Sequence, residues 1–193
     1  MSSNDHSSYA GDIGEVMTDI ELKAIMCARD MRTKCMEEGI IKVDTKKINY
    51  DILSKLVNMY NGQLTANNNY ISYFQKQPED SFVINIADDI IDEEKVITVL
   101  QGLGIRIFSF NLLTPENIIR LDNYDFTRDI RDKNELAAIY LFAREFLMPR
   151  ELFEDSIEDN IGDDNICDYK KVAIDFNTSH QKVLIRKNDM ELE

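Results

Sequence analysis

Histidine is almost missing from this chain of 193 residues: His6 and His180 are the only two, at opposite ends. Two imidazoles one helical turn apart, the usual heart of a zinc site, are therefore not on offer. The three cysteines, Cys27, Cys35 and Cys167, form an odd, scattered set that excludes a disulfide framework and fits reduced thiols. Cys27 and Cys35 stand too far apart for a joint metal site and read as core or surface filler. Basic residues are scarce too, 22 Lys and Arg against 36 Asp and Glu, for a net charge of −14. Such a balance disfavours direct nucleic-acid binding and favours partners with basic surfaces. No apolar run approaches the roughly 18 residues that span a bilayer. The opening "MSSNDHSSYAGDIGE" lacks a basic and apolar leader, so no secretory signal is expected and the cytoplasm is the expected location. No glycine-rich phosphate loop follows a strand, and no serine sits in a nucleophile elbow.

What remains is an ordinary globular composition, 44% apolar and 30% charged, enough for one domain with a small appendage. Residues 1–17 are small and polar and are expected to be a disordered tail. From Thr18 the pattern predicts a helix: an N-cap, a glutamate three residues on, apolar Ile20, Ile25, Met26 and Met31, and a closing Gly39. "NYDILSKLVNMYNG" predicts a second helix, ending at Gly62. "QLTA", "YISYFQ" and "FVINIA" follow as strand candidates. "TPENIIRL" places Pro115 at a helix-start position, and "DNYDFTRDIRDK" reads as a polar connection. "NELAAIYLFAREFLMP" is the strongest helical pattern, with Leu136, Ile139, Tyr140, Phe142, Phe146 and Leu147 leaving little polar surface before Pro149 ends it. The stretch 151–168 holds eight Asp and Glu with no Lys or Arg; it matches a calcium loop poorly and reads as a solvated linker. Two short helices around "FNTS", capped by Thr178 or Ser179, complete the chain. The expected fold class is α+β: helices around a small sheet of about three strands, with a C-terminal helical pair.

Residues 96–108, "VITVLQGLGIRIF", admit two readings. Apolar Val96, Val99, Leu100, Leu103 and Ile107 fit a helix behind an acidic start. Two glycines inside a helix cost about 1 kcal/mol each relative to alanine. A helix ending at Gly104 and a strand entered through Ile105, Ile107 and Phe108 is the alternative.

"FAREFLMPRELF" (142–153) is similar to the F-A-x-x-L-L-M-P segment of the ImmA/IrrE family of zinc metallopeptidases. "FVINIADDIIDEEKVITVLQGLGIRIF" resembles that family's strand, acidic turn and ligand-bearing helix, and the tail resembles its helix–turn–helix-like end. The resemblance implies a zincin-like minimal core over 18–165 and an appendage over 166–193 packed on it. Where the family carries H-E-L-G-H, this chain reads "QGLGI". Gln101 and Ile105 stand for the two zinc-binding histidines and Gly102 for the glutamate that activates water, while Leu103 and Gly104 are retained. The family's further acidic ligand falls at Ala138, and Glu135 is the nearest carboxylate. An amide, a missing side chain, a sec-butyl group and a methyl cannot hold zinc or take a proton. The resemblance thus implies a pseudoenzyme without catalytic residues, metal or cofactor, with Gln101, Gly102, Ile105, Glu135 and Ala138 as a vestigial cleft.

It also implies a bacterial, phage or mobile-element source and a protein partner of the kind its relatives cleave, a DNA-binding regulator. Two other functions stay open. An acidic protein can block a nucleic-acid-binding enzyme by charge. A transcriptional regulator can read DNA with the C-terminal helices, which offer His180, Gln181, Lys182 and Arg186.

Overall fold

A computed structural model of the chain describes residues 17–67, 71–116, 118–121 and 133–192. The expected tail, apart from Met17, and the polar connection at 122–132 lie outside the described residues. Among the described residues the fold is α+β, with seven helices, one 3-10 turn and a sheet of four strands, one more than expected.

Helix α1 (Asp19–Glu37) starts at a capping box: Thr18 Oγ1 accepts from the Glu21 amide, and the Glu21 carboxylate accepts from the Thr18 amide at 2.8 Å. It ends at Gly39, whose φ of +66° is left-handed. Its buried stripe is Ala24, Ile25, Ala28, Met31, Arg32 and Cys35; Met26, one of the apolar residues of the helical pattern, is turned to solvent. Helix α2 (Tyr50–Met59) is capped by Asn49. Its left-handed exit is made by Asn61 (φ +62°), not by Gly62, which is already in strand β1 (Gly62–Asn67). Gly62 answers a different need. The Phe82 ring of the next strand lies over it, and a Cβ there would run into that ring.

Strands β2 (Tyr73–Lys76) and β3 (Phe82–Ala87) follow. The sheet order is β1-β3-β2-β4, so β3 is inserted between the two strands that precede it; it runs parallel to β1 and antiparallel to β2. Strand β4 (Ile118–Arg120) occupies the stretch that reads as a helix start. It pairs antiparallel with β2, placing buried Ile119 opposite buried Phe74 while Ile118 and Arg120 face out. Pro115 sits in the turn before it. Three residues are too few for a period of two to declare itself.

Helix α3 (Asp92–Phe108) lies against β2 and β3; helix α4 (Lys133–Leu147) packs on α3, and α1 packs on α4. Phe142, Phe146 and Ile139 are fully buried, whereas Leu136 and Tyr140 are only partly covered. Pro149 ends the run and begins helix α5 (Arg150–Asp159). The supposed solvated linker is therefore half helix, anchored by buried Phe153 and Ser156. Phe153 packs on Phe176 with 5.9 Å between ring centroids, and Ser156 Oγ donates to Asp175 at 2.6 Å. Helices α6 (Tyr169–Asp175) and α7 (His180–Leu192) form the C-terminal pair, with Ser179 Oγ accepting from the Lys182 amide. No helix among the described residues is long and apolar enough to cross a membrane.

Phe142 touches both neighbours of its helix face, with Phe108 and Phe146 ring centroids at 6.2 and 6.5 Å. Phe142→Ala is expected to destabilise the protein by about 3–5 kcal/mol through the cavity it leaves. A chemical-denaturation curve shifted by less than a third of that would refute the place given to this helix.

Candidate functional site

Helix α3 runs unbroken through Gly104 to Phe108, so the strand alternative for 105–108 does not hold. Gln101, Ile105 and Phe108 consequently rise a turn apart along one stripe. The stripe leans toward α4, where Phe108 meets the Phe142 ring and Ser109 Oγ donates to Glu135 at 3.2 Å. Gly104 faces α4 directly. A Cβ on it would lie 2.9 Å from Ile139 Cγ2 and 3.3 Å from Ile139 Cα, so the two backbones approach closely there. Gly102, two residues back, points the other way, and a Cβ on it would lie 2.7 Å from Ile84 Cδ1 of β3.

The five positions expected to form a vestigial cleft therefore part company. Ile105, Ala138 and Gly102 are buried in the core, while Gln101 and Glu135 are half-buried. Gly102 is turned to the sheet, away from α4. The side chains present form packing, and among the described residues no three His, Cys, Asp or Glu side chains converge as a metal-binding group.

The strongest polar chemistry lies at the other end of α4. Glu145 is buried with 1% exposure. Its Oε1 accepts from Arg29 Nε of α1 at 2.8 Å, and its Oε2 accepts from Arg186 Nη2 of α7, itself fully buried. Arg186 Nε also donates to the Met148 carbonyl at 3.0 Å. Arg32 of α1 donates to the Phe146 carbonyl at 2.8 Å and the Thr45 carbonyl at 2.7 Å. Two guanidinium groups thus serve the carbonyls that end α4, where Pro149 supplies no N–H. Positive charge there also suits the helix dipole. Burial pushes the Arg32 guanidinium down to about 10, still charged at neutral pH.

These residues escape a reading by motif, yet each leaves a trace. Glu145 follows Ala138, Leu141 and Phe142 at helical spacing; Arg32 stands between Ala28 and Cys35; Arg186 follows Val183. A charge on an apolar stripe signals a buried partner.

Arg186 is buried against Glu145, and Lys182 is ion-paired with Glu94 of α3, which leaves only His180 and Gln181 exposed of the four groups expected to read a groove. Burial raises all three thiols, Cys35 to about 11. The chain matches no family model and no curated protein.

The two helical glycines should respond oppositely to a methyl group. Gly102→Ala meets the movable end of Ile84 and gains helix propensity, so its stability should stay within about 1 kcal/mol of the parent. Gly104→Ala presses on a branched carbon and a backbone, and should cost about 1–2 kcal/mol. Denaturation midpoints for the two variants decide it, and equal effects would refute the packing described.

Cys35 gives a pH test. Its folded value lies above the ordinary thiol value of 9.0, so its contribution is fully present below pH 9 and fades as pH rises from 9 toward about 11. Iodoacetamide at pH 8 should modify Cys27 and Cys167 in the folded protein and reach Cys35 only on unfolding; rapid alkylation of Cys35, read by peptide mass spectrometry, would contradict its burial.

Proposed function

We propose that this protein is a catalytically inactive, ImmA/IrrE-like pseudoenzyme that acts by binding a protein partner without cleaving it. The observation that carries the reading is the α3–α4 crossing at Gly104 and Ile139. The continuous helix keeps Gln101 and Ile105 one turn apart and packs against the helix bearing Ala138, which supports the reading, while Glu135 lies further along, against Ser109. The chemistry at those positions supports inactivity, because one half-buried carboxylate and one amide cannot complete a tetrahedral zinc shell. Gly102 is the departure: its place against Ile84 leaves no room for the glutamate that the family uses as base. A zincin-like core, a cytoplasmic location, a phage or mobile-element source and a DNA-binding regulator as partner belong to the same proposal.

A second reading draws on the acidic surface. All eight carboxylates of 151–168 are exposed. Such a surface suits a protein that blocks a nucleic-acid-binding enzyme by charge, and binding would then weaken steeply with salt. The pseudoenzyme reading expects apolar contacts and a shallow salt dependence.

Purified protein should contain well under one equivalent of zinc by mass spectrometric metal analysis, and a DNA-binding regulator incubated with it should stay intact. One tightly held zinc per chain, or cleavage of the regulator, would overturn the proposal.

A further inference from the structure

Helix α7 is docked with its polarity reversed. It buries Arg186 completely, while Leu184 and Ile185 face outward, each 38% exposed. Among its described residues only Val183 is a fully buried apolar side chain, with Met190 partly covered. Its anchorage is mainly ionic. Arg186 holds Glu145, Lys182 holds Glu94, and Asp189 accepts from Arg144 of α4 at 2.6 and 3.0 Å in a two-pronged pair. We propose that α7 is a detachable strap, latched across the ends of α3 and α4 by these three pairs, that opens while α1–α6 stay folded.

Two features make the opening local. The first is what stays behind. When Arg186 leaves, Glu145 keeps Arg29 of α1, and Arg32 keeps the Phe146 carbonyl, so neither the carboxylate nor the end of α4 is stranded in a dry core. Water entering the vacated groove solvates the rest. Among its described apolar residues only Val183 is deeply seated, while Leu184, Ile185 and Met190 are partly covered, so the apolar surface lost with the helix is that of one full side chain and parts of three.

The second feature is the hinge. Four residues, Phe176 to Ser179, join α6 to α7. Asn177 within them is left-handed at φ +50°, and the Thr178 hydroxyl is buried without a hydrogen-bond partner among the described residues. An extended hinge relieves both. The strap's closed state therefore rests on paired charges against a joint that favours release.

Hydrogen exchange on the full chain, followed by mass spectrometry, tests the proposal. Amides of 183–191 should exchange at least about tenfold faster than those of 24–36 and 139–146, which report global unfolding. Replacing the two half-buried pairs at once, with Asp189→Asn and Lys182→Gln, should speed exchange in α7 by a further factor of roughly 10 and leave α1 and α4 unchanged. Raising salt on the parent protein should act in the same direction. Exchange of α7 at the rate of α1 and α4, or a variant in which all three accelerate together, would show that α7 is integral to the core and overturn the strap.

Discussion

A carboxylate held out of water is the constraint on which the arrangement of three helices depends. Glu145 comes from a largely buried helix, and its charge is tolerated because Arg29 of α1 pairs with it, joined by Arg186 when α7 is docked. That need fixes rotation as well as position. If α1 turned on its axis, Arg29 would leave the carboxylate and Arg32 would leave the α4 carbonyl together. Apolar packing of Ala24, Ala28 and Met31 permits several registers between α1 and α4; the two arginines select one. Removing Glu145 alone would leave Arg186 buried without its main counter-charge, a loss of the order of 3–5 kcal/mol.

The contact of α3 with α4 is set by the opposite means, the absence of a side chain. Gly104 lets Ile139 sit against the backbone of α3, and Gly102 gives Ile84 the same privilege on the sheet side. Helix α3 is thus clamped between two layers at one turn. The propensity lost at two helical glycines is returned as close packing, which answers why they stand in the middle of a buried helix. Whatever its ancestry, the segment works in this protein as a spacer of small cross-section.

Local rules in the sequence foretold much of this. The Thr18–Glu21 capping box, the left-handed Gly39, the apolar run of β3 and the cap before α7 are decided within a few residues, and sequence carries such information directly. The misreadings share another cause. Gly62 looks like a helix terminator until the Phe82 ring, twenty residues on, is seen to lie over it. The 118–120 strand exists because β2 offers it a free edge, and α5 because Phe153 finds Phe176. Arg186 looks like a solvent-facing cation until Glu145 is placed beneath it. In each case the deciding partner is distant, and no periodicity records it. The positions of the candidate site were legible as a helix, but which of them faces the sheet and which faces α4 was not.

The long reach of the first helix bears on how the chain is made. Arg29 and Glu145 are 116 residues apart, and Arg32 and Phe146 are 114 apart. At ordinary ribosomal speeds, α1 is outside for about 6–20 s before α4 exists. Throughout that interval its stripe of Ala24, Ile25, Ala28, Met31 and Cys35 has no native cover, and the two arginines beside it have no carboxylate to meet. The nascent chain therefore carries an apolar, positively flanked helix ahead of a sheet that can already form. Until that downstream helix is made, the stripe can be covered only by non-native contacts.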